Sequence, residues 1–415
     1  MSARQRVFAL AVLAGVHSAA HADKEFKLPD SDTTVTLGGY VKLDAIWSSH
    51  SASADNPGVI TLGDQQLSPT TIPIGPNAGQ HKSDQVTLHA RQTRLSLGTS
   101  TPTEYGKFST YIEGDFFGDS PTANENSTNS TTFRIRHAYG TLGNFSAGQY
   151  WTNFFNEQAY AETLDFGGAQ GEIFIRQGQA RWTQKFTGGD WSVSMENPES
   201  VIAVPGSGST FRSGSDHAPD LTGRVKFGGG RGTYSLGLLA RNVHIDTAGS
   251  VAGVVPANAA VSSNKWGGAL ALTGITPIGR DDLRFNVNAG NAIGRYQVGG
   301  IFPDGYLDAA GQLHLATQMS GYVAYRHFWS PKWRSTAEVS AANSNPPAGT
   351  FSCTNVQNPA AACITKSDRS QHLNLIWSPV PYVNVGGELI HASRTVVGGD
   401  HGGLNRVQFS AQFNF

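Results

Sequence analysis

The chain has 415 residues at a mean hydropathy of −0.28, and no apolar run approaches the roughly 20 residues a membrane-spanning helix needs. Its formal charge of −1 gives no support for a nucleic-acid partner or an acidic surface partner. Only 3 methionines against 49 glycines, with no long windows of Ala, Leu, Glu and Lys, argue against a helical protein of any kind.

Arg4 and Arg6 precede an apolar run from Val7 to Val16, and Ala20-His21-Ala22 follows as a small-x-small cleavage site. Residues 1–22 are therefore expected to be a removed signal peptide, with Asp23 opening the mature chain. Loss of Arg4 and Arg6 takes the formal charge from −1 to −3. The apolar run is too short to span a bilayer.

From there on the chain alternates apolar and polar residues, the period of a strand with two unlike faces. Sixteen such segments lie near 33–48, 84–98, 105–116, 131–141, 144–151, 174–186, 190–197 and 219–228, then 232–243, 264–275, 282–292, 317–328, 332–342, 368–377, 381–392 and 403–415. Every second connector is short, such as Gly143, Thr187-Gly-Gly189, Gly229-Gly-Arg231 and Trp329-Ser-Pro331. The others, 49–83, 198–218, 244–263, 293–316 and 343–367, are long and rich in Gly, Ser, Asn and Pro. That alternation marks a transmembrane antiparallel up-and-down β-barrel with short periplasmic turns and long extracellular loops. A β-sandwich has no reason to alternate connector length. An even strand number lets the last strand pair with the first and leave no open edge.

Aromatics flank the short turns: Phe186 with Trp191, Phe227 with Tyr234, Trp329 with Trp333, and Trp377 with Tyr382. Rings at the headgroup level form the girdle of such barrels. The chain closes on Val407-Gln-Phe409-Ser-Ala411-Gln-Phe413-Asn-Phe415, greasy on one face and wet on the other, as a final barrel strand ends. The expectation is one barrel domain over 23–415.

Alternation assigns faces. In the first strand Val35, Leu37, Val41, Leu43, Ala45 and Trp47 face out, leaving Lys42 and Asp44 inside. In the third, Phe108, Ile112 and Phe116 turn Tyr111, Glu113 and Asp115 inward; in the fourth, Phe133, Ile135 and Tyr139 leave Arg134 and Arg136 inside. Trp182 and Phe186 put Arg181 and Lys185 in the lumen, and later strands add Arg224, Lys226, Arg334, Glu338, Glu388 and Arg406. The second strand switches parity between Ala90 and Leu95. A bulge near Gln92-Thr93 would repair this and bring both Arg91 and Arg94 inside. Two readings of these arginines stand side by side. They pair structurally with Glu113 and Asp115, or their excess forms a positive wall of the kind that selects anions.

The connector at 152–173 is more apolar and aromatic than an exposed loop. This constriction loop, Tyr160 included, is expected to fold inward and narrow the pore, setting Glu157, Glu162, Asp165 and Glu172 opposite the arginines in a transverse field. A surface flap or a contact with a neighbouring subunit is the alternative. Cys353 and Cys363 share one long loop, where an exported chain favours a stapling disulfide over a metal site.

Several stretches together resemble the DcaP-like family of bacterial outer-membrane porins. They are Gly38-Gly-Tyr40-Val-Lys42-Leu-Asp44, Ala90-Arg91-Gln-Thr-Arg94, Tyr111-Ile-Glu113-Gly-Asp115-Phe-Phe-Gly118, Arg134-Ile-Arg136-His137-Ala-Tyr139-Gly140, Gly148-Gln149-Tyr150-Trp151-Thr-Asn153-Phe154, Asp165-Phe166 and Glu196-Asn-Pro198. The resemblance covers roughly residues 33–230; the later strands match in pattern. It implies a homotrimeric channel for small anionic organic solutes, dicarboxylates among them. By position it makes Lys42, Arg91, Arg94, Arg134, Arg136 and Arg176 the pore positives, with Glu113 and Asp115 their partners.

The function expected is therefore a passive outer-membrane porin without cofactor or metal. Its partners would be outer-membrane lipid, lipopolysaccharide, and the barrel assembly machinery acting on the Phe415 strand. A blocked structural or adhesive barrel is the main alternative. A hydrolase using His391 and Ser393, two apart on one strand, is the remoter one, because spacing alone does not make a catalytic pair.

Overall fold

The computed structural model describes residues 24–51, 65–68, 72, 74, 82–118, 129–204, 210–247, 251, 260–347 and 364–415. The expected signal peptide at 1–22 and the Cys353–Cys363 pair lie outside them.

The first strands are β1 (Lys24–Lys27), β2 (Thr34–Ser51), β3 (Lys82–His89), β4 (Arg94–Thr103), β5 (Gly106–Gly118), β6 (Thr132–Leu142), β7 (Phe145–Trp151), β8 (Arg176–Phe186) and β9 (Gly189–Glu196). After the short β10 (Val201–Ala203) and β11 (Thr210–Arg212) come β12 (Asp220–Gly229), β13 (Gly232–Asp246), β14 (Ser262–Ile278) and β15 (Asp281–Gly290). The short β16 (Gly305–Leu307) and β17 (Leu313–His314) lead into β18 (Thr317–Ser330), β19 (Trp333–Asn345), β20 (Thr365–Trp377), β21 (Val383–Val396) and β22 (His401–Asn414). Eighteen strands form one sheet. With β3 and β4 as two halves of one stave on β2, and the short β1 set apart, this is a closed antiparallel barrel of sixteen staves. Closure runs from Tyr40↔Asn414 to Ser48↔Arg406. Where β22 stops, β1 continues the seam along β2, with Lys24 opposite Leu37. No lipid-facing backbone edge is left at this seam, as a hydrocarbon surround requires.

Alternation is regular where the sequence says so. On β20, Leu373, Leu375 and Trp377 are exposed while His372, Asn374 and Ile376 are buried. Trp333 and Trp377 stack at 5.8 Å beside the short turn, and Trp329 and Tyr382 stand exposed next to it. The outer face is apolar because lipid solvates it, and the inner face is polar.

Two irregularities re-aim side chains at the lumen. Residues 90–93 form a turn, with Thr93 N donating to Ala90 O at 3.0 Å, so β4 resumes with its parity reversed. On β6 the register slips, because Glu113 pairs with His137 while Gly114 pairs with Ile135. Arg136 is the extra residue, and both it and His137 are buried. This bulge inverts the alternation that follows. Tyr139, expected outside, faces the lumen opposite Tyr111, its ring 5.8 Å away.

The connector after β7 lies inside the barrel. Phe154, Phe155 and Ile173 bury against Leu239, Ala269, Ala271 and Tyr296. The wall then holds the main chain: Arg224 donates to Phe155 O at 2.9 Å, Tyr322 to Ala159 O at 2.6 Å, and Arg284 to Tyr160 O at 2.6 Å. At Gly171 the loop presses so closely on the wall that a Cβ would sit 2.3 Å from Gly321 O. At the long-loop end, β11, β10, β16 and β17 form a second, four-stranded sheet. Its Ile202, Leu307 and Leu313 pack on Val243 and Ile245 of β13.

Candidate pore constriction

The inward loop leaves an opening against the barrel wall. Tyr40, Lys42, Arg94 and Arg136 border it on one side, Arg284, Arg334 and Asn384 on the other, with Trp151 at the end of β7 and Phe155, Glu157, Tyr160 and Glu162 from the loop. The two walls stand apart, since β2, β4 and β6 lie four to seven of the sixteen staves from β15 and β19, between a quarter and just under half a turn of the barrel.

On the first wall, alternate residues of neighbouring strands stack cations and carboxylates in rows. Arg136 Nε lies 2.7 Å from Glu113 and its Nη1 3.0 Å from Asp115. Arg134 Nε lies 2.7 Å from Asp115, and Arg94 Nε 3.5 Å from Glu113. Lys42 Nζ sits 3.2 Å from Asp44 and donates to Leu164 O of the loop at 2.8 Å. Arg176 lies over the rings of Trp151 at 4.9 Å and Phe174 at 6.0 Å, with no carboxylate in ion-pair range among the described residues. Five cations thus face Asp44, Glu113 and Asp115. Three of the arginines pair with the two acids, and among the described residues of this wall cations outnumber carboxylates.

Two expected pore arginines sit elsewhere. Arg91 lies in a separate hollow with His89, Leu88 and Phe116, because the turn at 90–93 points it away; only Arg94 borders the opening. Arg181 donates to Trp151 O at 2.6 Å and lies 4.5 Å from the Tyr150 ring, bracing the start of the loop.

The loop carboxylates do not face the first wall as a transverse field requires. Glu162 is gripped across the pore by Arg334, Nη2 to Oε1 at 2.7 Å, and by Arg326 at 3.2 Å. Burial pushes its carboxyl up, but the Arg334 hydrogen bond and the surrounding arginines outweigh this and hold it below the usual range. Asp165 accepts from Leu67 N and Gly167 N and pairs with Arg406 at 3.2 Å. Glu172 is fully buried, its carboxyl without a hydrogen-bond partner among the described residues. Burial, aided by nearby Glu338, raises that carboxyl well above the usual range. Of these acids only Glu157 is exposed. Burial also raises the Tyr160 hydroxyl well above its ordinary value, beside Glu172.

Sequence reasoning missed Arg284 and Arg326, although strand parity could have found them: half-buried Leu283 and exposed Tyr325 point away from the lumen and leave both guanidiniums inside. His391 and Ser393 lie on the outer face of β21, between buried Ile390, Ala392 and Arg394, with His391 Nδ1 2.8 Å from Asn405. A lipid-facing pair cannot meet a soluble substrate.

The model of the DcaP outer membrane protein family matches residues 65–415. The chain belongs to this family. Among solved structures, the outer membrane channel DcaP of Acinetobacter baumannii superposes with a TM-score of 0.72 at 22% identity, over 94% of this chain and 99% of that one. The outer-membrane OmpT of Vibrio cholerae gives 0.56 at 10% identity, over 94% and 100%. An anion-selective porin from Comamonas acidovorans gives 0.53 at 13% identity, over 92% and 100%. No curated protein matches in sequence. This DcaP-family chain is thus a β-barrel protein of the bacterial outer membrane, a porin and not an enzyme.

Proposed function

We propose that the protein is a passive diffusion channel that admits small hydrophilic solutes and prefers organic anions, dicarboxylates among them. The observation that carries this reading is the charge imbalance at the constriction: Lys42, Arg94, Arg134, Arg136 and Arg176 against Asp44, Glu113 and Asp115. Fixed guanidiniums stay charged at all relevant pH and offer a solute carboxylate two parallel hydrogen bonds. Lys42, Arg94 and Arg136 border the opening itself, and beside them Arg134 keeps a third of its side chain accessible while Arg176 stacks on Trp151 and Phe174. Trp151, Phe155, Tyr160 and Phe174 add an apolar strip for a carbon skeleton. Conduction needs binding that is favourable but weak, and arginines already engaged by neighbouring acids meet both conditions.

The same reading takes residues 1–22 as a removed signal, the Phe415 strand as the signal to the assembly machinery, and lipid and lipopolysaccharide as the surround. It takes a homotrimer as the working form. Liposome swelling tests it: succinate should enter faster than butane-1,4-diamine, a dication of similar size. Equal rates, or faster diamine entry, would refute the anion preference; no entry of either would make this a blocked barrel.

A further inference from the structure

Three arginines converge on the constriction from the second wall: Arg284 on β15, Arg326 on β18 and Arg334 on β19. Two carboxylates meet them. Asp282 belongs to the wall, 2.7 Å from Arg284 Nε and 2.6 Å from Arg326 Nη2. Glu162 arrives on the inward loop. Arg334 grips it in a fork, with Nε 2.9 Å from both carboxylate oxygens and Nη2 2.7 Å from Oε1, and Arg326 Nη1 adds a contact at 3.2 Å. Ser378 accepts from Arg334 Nη1 at 2.7 Å and Asn384 from Nη2 at 3.4 Å, so the fork is set by the wall and not by Glu162 alone. Glu162, Arg284 and Arg334 all border the opening.

Among the described residues, three wall guanidiniums share one wall carboxylate in ion-pair range here, which makes an anion site, and the loop supplies the anion. A planar fork that accepts one carboxylate through parallel hydrogen bonds accepts another of the same shape. We propose that Arg326 and Arg334, with Arg284 beside them, form a second carboxylate-binding subsite of the pore, held at rest by Glu162 as a tethered competitor that a solute carboxylate displaces. The inference rests on the reading of the protein as an anion-preferring channel.

Tethering sets the strength of the competition. A group on a short linker acts at an effective concentration in the millimolar range. Here the linker is held on both flanks, by Arg284 at Tyr160 O and by Lys42 at Leu164 O, which keeps Glu162 near its arginines. A solute must therefore outbid a resident carboxylate, and it is released again when Glu162 returns. That keeps the site in the weak-binding regime a channel needs. It also places carboxylate receptors on both walls, so a dianion can exchange one end at a time between Arg94 and Arg136 on one side and Arg334 on the other.

The test uses the full mature barrel in a planar bilayer, with block of chloride current by succinate as the readout. Glu162→Gln should lower the half-blocking succinate concentration about tenfold, the advantage a tethered rival gives up when removed. Glu162→Asp keeps the charge but draws it back one methylene, and should lower it about threefold. Adding Arg334→Gln to Glu162→Gln should abolish the gain. Half-block unchanged from wild type in both single variants, or an undiminished gain in the double variant, would overturn the subsite. If Glu162→Gln does not fold, as judged by heat-modifiable gel mobility, Glu162→Asp alone decides. A cation-selective wild-type barrel would instead remove the channel reading beneath the inference, and that is measured before any variant.

Discussion

Glu388 of β21 clamps Leu164 of the inward loop: its carboxylate accepts the Leu164 N–H at 2.7 Å and the Asp165 N–H at 3.2 Å. His372 Nδ1, 3.0 Å away, and Asn374, donating at 3.0 Å, fix that carboxylate in turn. The loop is thus seated by a wall acid reading loop backbone. Charge-assisted hydrogen bonds contribute about 1.5–3 kcal/mol each. Glu388→Ala should therefore free the loop tip, raise mean single-channel conductance and make the 152–175 segment protease-sensitive. A variant with wild-type conductance and protection would show that the apolar packing of Phe154 and Phe155 holds the loop unaided.

The two central arginines should separate cleanly. Arg136 is buried against Glu113 and Asp115, so Arg136→Ala strands charges and should cost about 3–5 kcal/mol of barrel stability. Arg134 is about a third accessible and leaves Asp115 its Arg136 contact, so Arg134→Ala should cost at most about 1 kcal/mol. Urea midpoints in detergent compare them; equal losses would contradict the burial argument.

Gly171 sits where backbone meets backbone. An added Cβ would lie 2.3 Å from Gly321 O and 2.6 Å from Ala341 O, neither of which can swing aside. Gly171→Ala should lift the loop from the wall, at a cost of about 1–3 kcal/mol, and broaden the distribution of conductance levels. A single wild-type level would place the loop's hold elsewhere.

Glu172 gives a pH dependence of defined sign. Its carboxyl is raised well above the ordinary value of about 4.3, so it stays neutral in the folded chain while the unfolded chain ionises. Below about pH 4 both states are protonated, and the wild type and the Glu172→Gln variant behave alike. As pH rises from there, wild-type stability falls relative to Glu172→Gln by up to about 1.4 kcal/mol per pH unit. The loss levels off once pH passes the folded value. Urea midpoints of both proteins at pH 4, 6 and 8 test this; a gap that does not widen would mean Glu172 is ionised in place.

Much of the barrel was legible because period-2 alternation and connector length both report the membrane. On β20 the alternation of exposed and buried residues holds at every position from Leu373 to Trp377, and on β22 Phe409 and Phe413 stand exposed as expected. Tyr139 did not, because the bulge at Arg136–His137 is set by pairing between strands, which one strand's sequence does not contain. The same holds for Arg91, turned away by the 90–93 turn. At the site, the pairing of Arg94, Arg134 and Arg136 with Glu113 and Asp115 was legible, because neighbouring strands carry them, but the partners of the loop acids were not. Whether Glu162 meets Arg134 or Arg334 depends on how a loop of more than twenty residues crosses the barrel, and no local signal encodes that.

The most direct measurement is the reversal potential of the refolded mature barrel under a potassium chloride gradient, alongside an Arg134→Ala, Arg176→Ala double variant. The account predicts a wild-type potential displaced toward the chloride limit and a clear loss of that displacement in the variant. A wild-type potential on the potassium side would contradict it, and would assign control of the pore to the exposed Glu157.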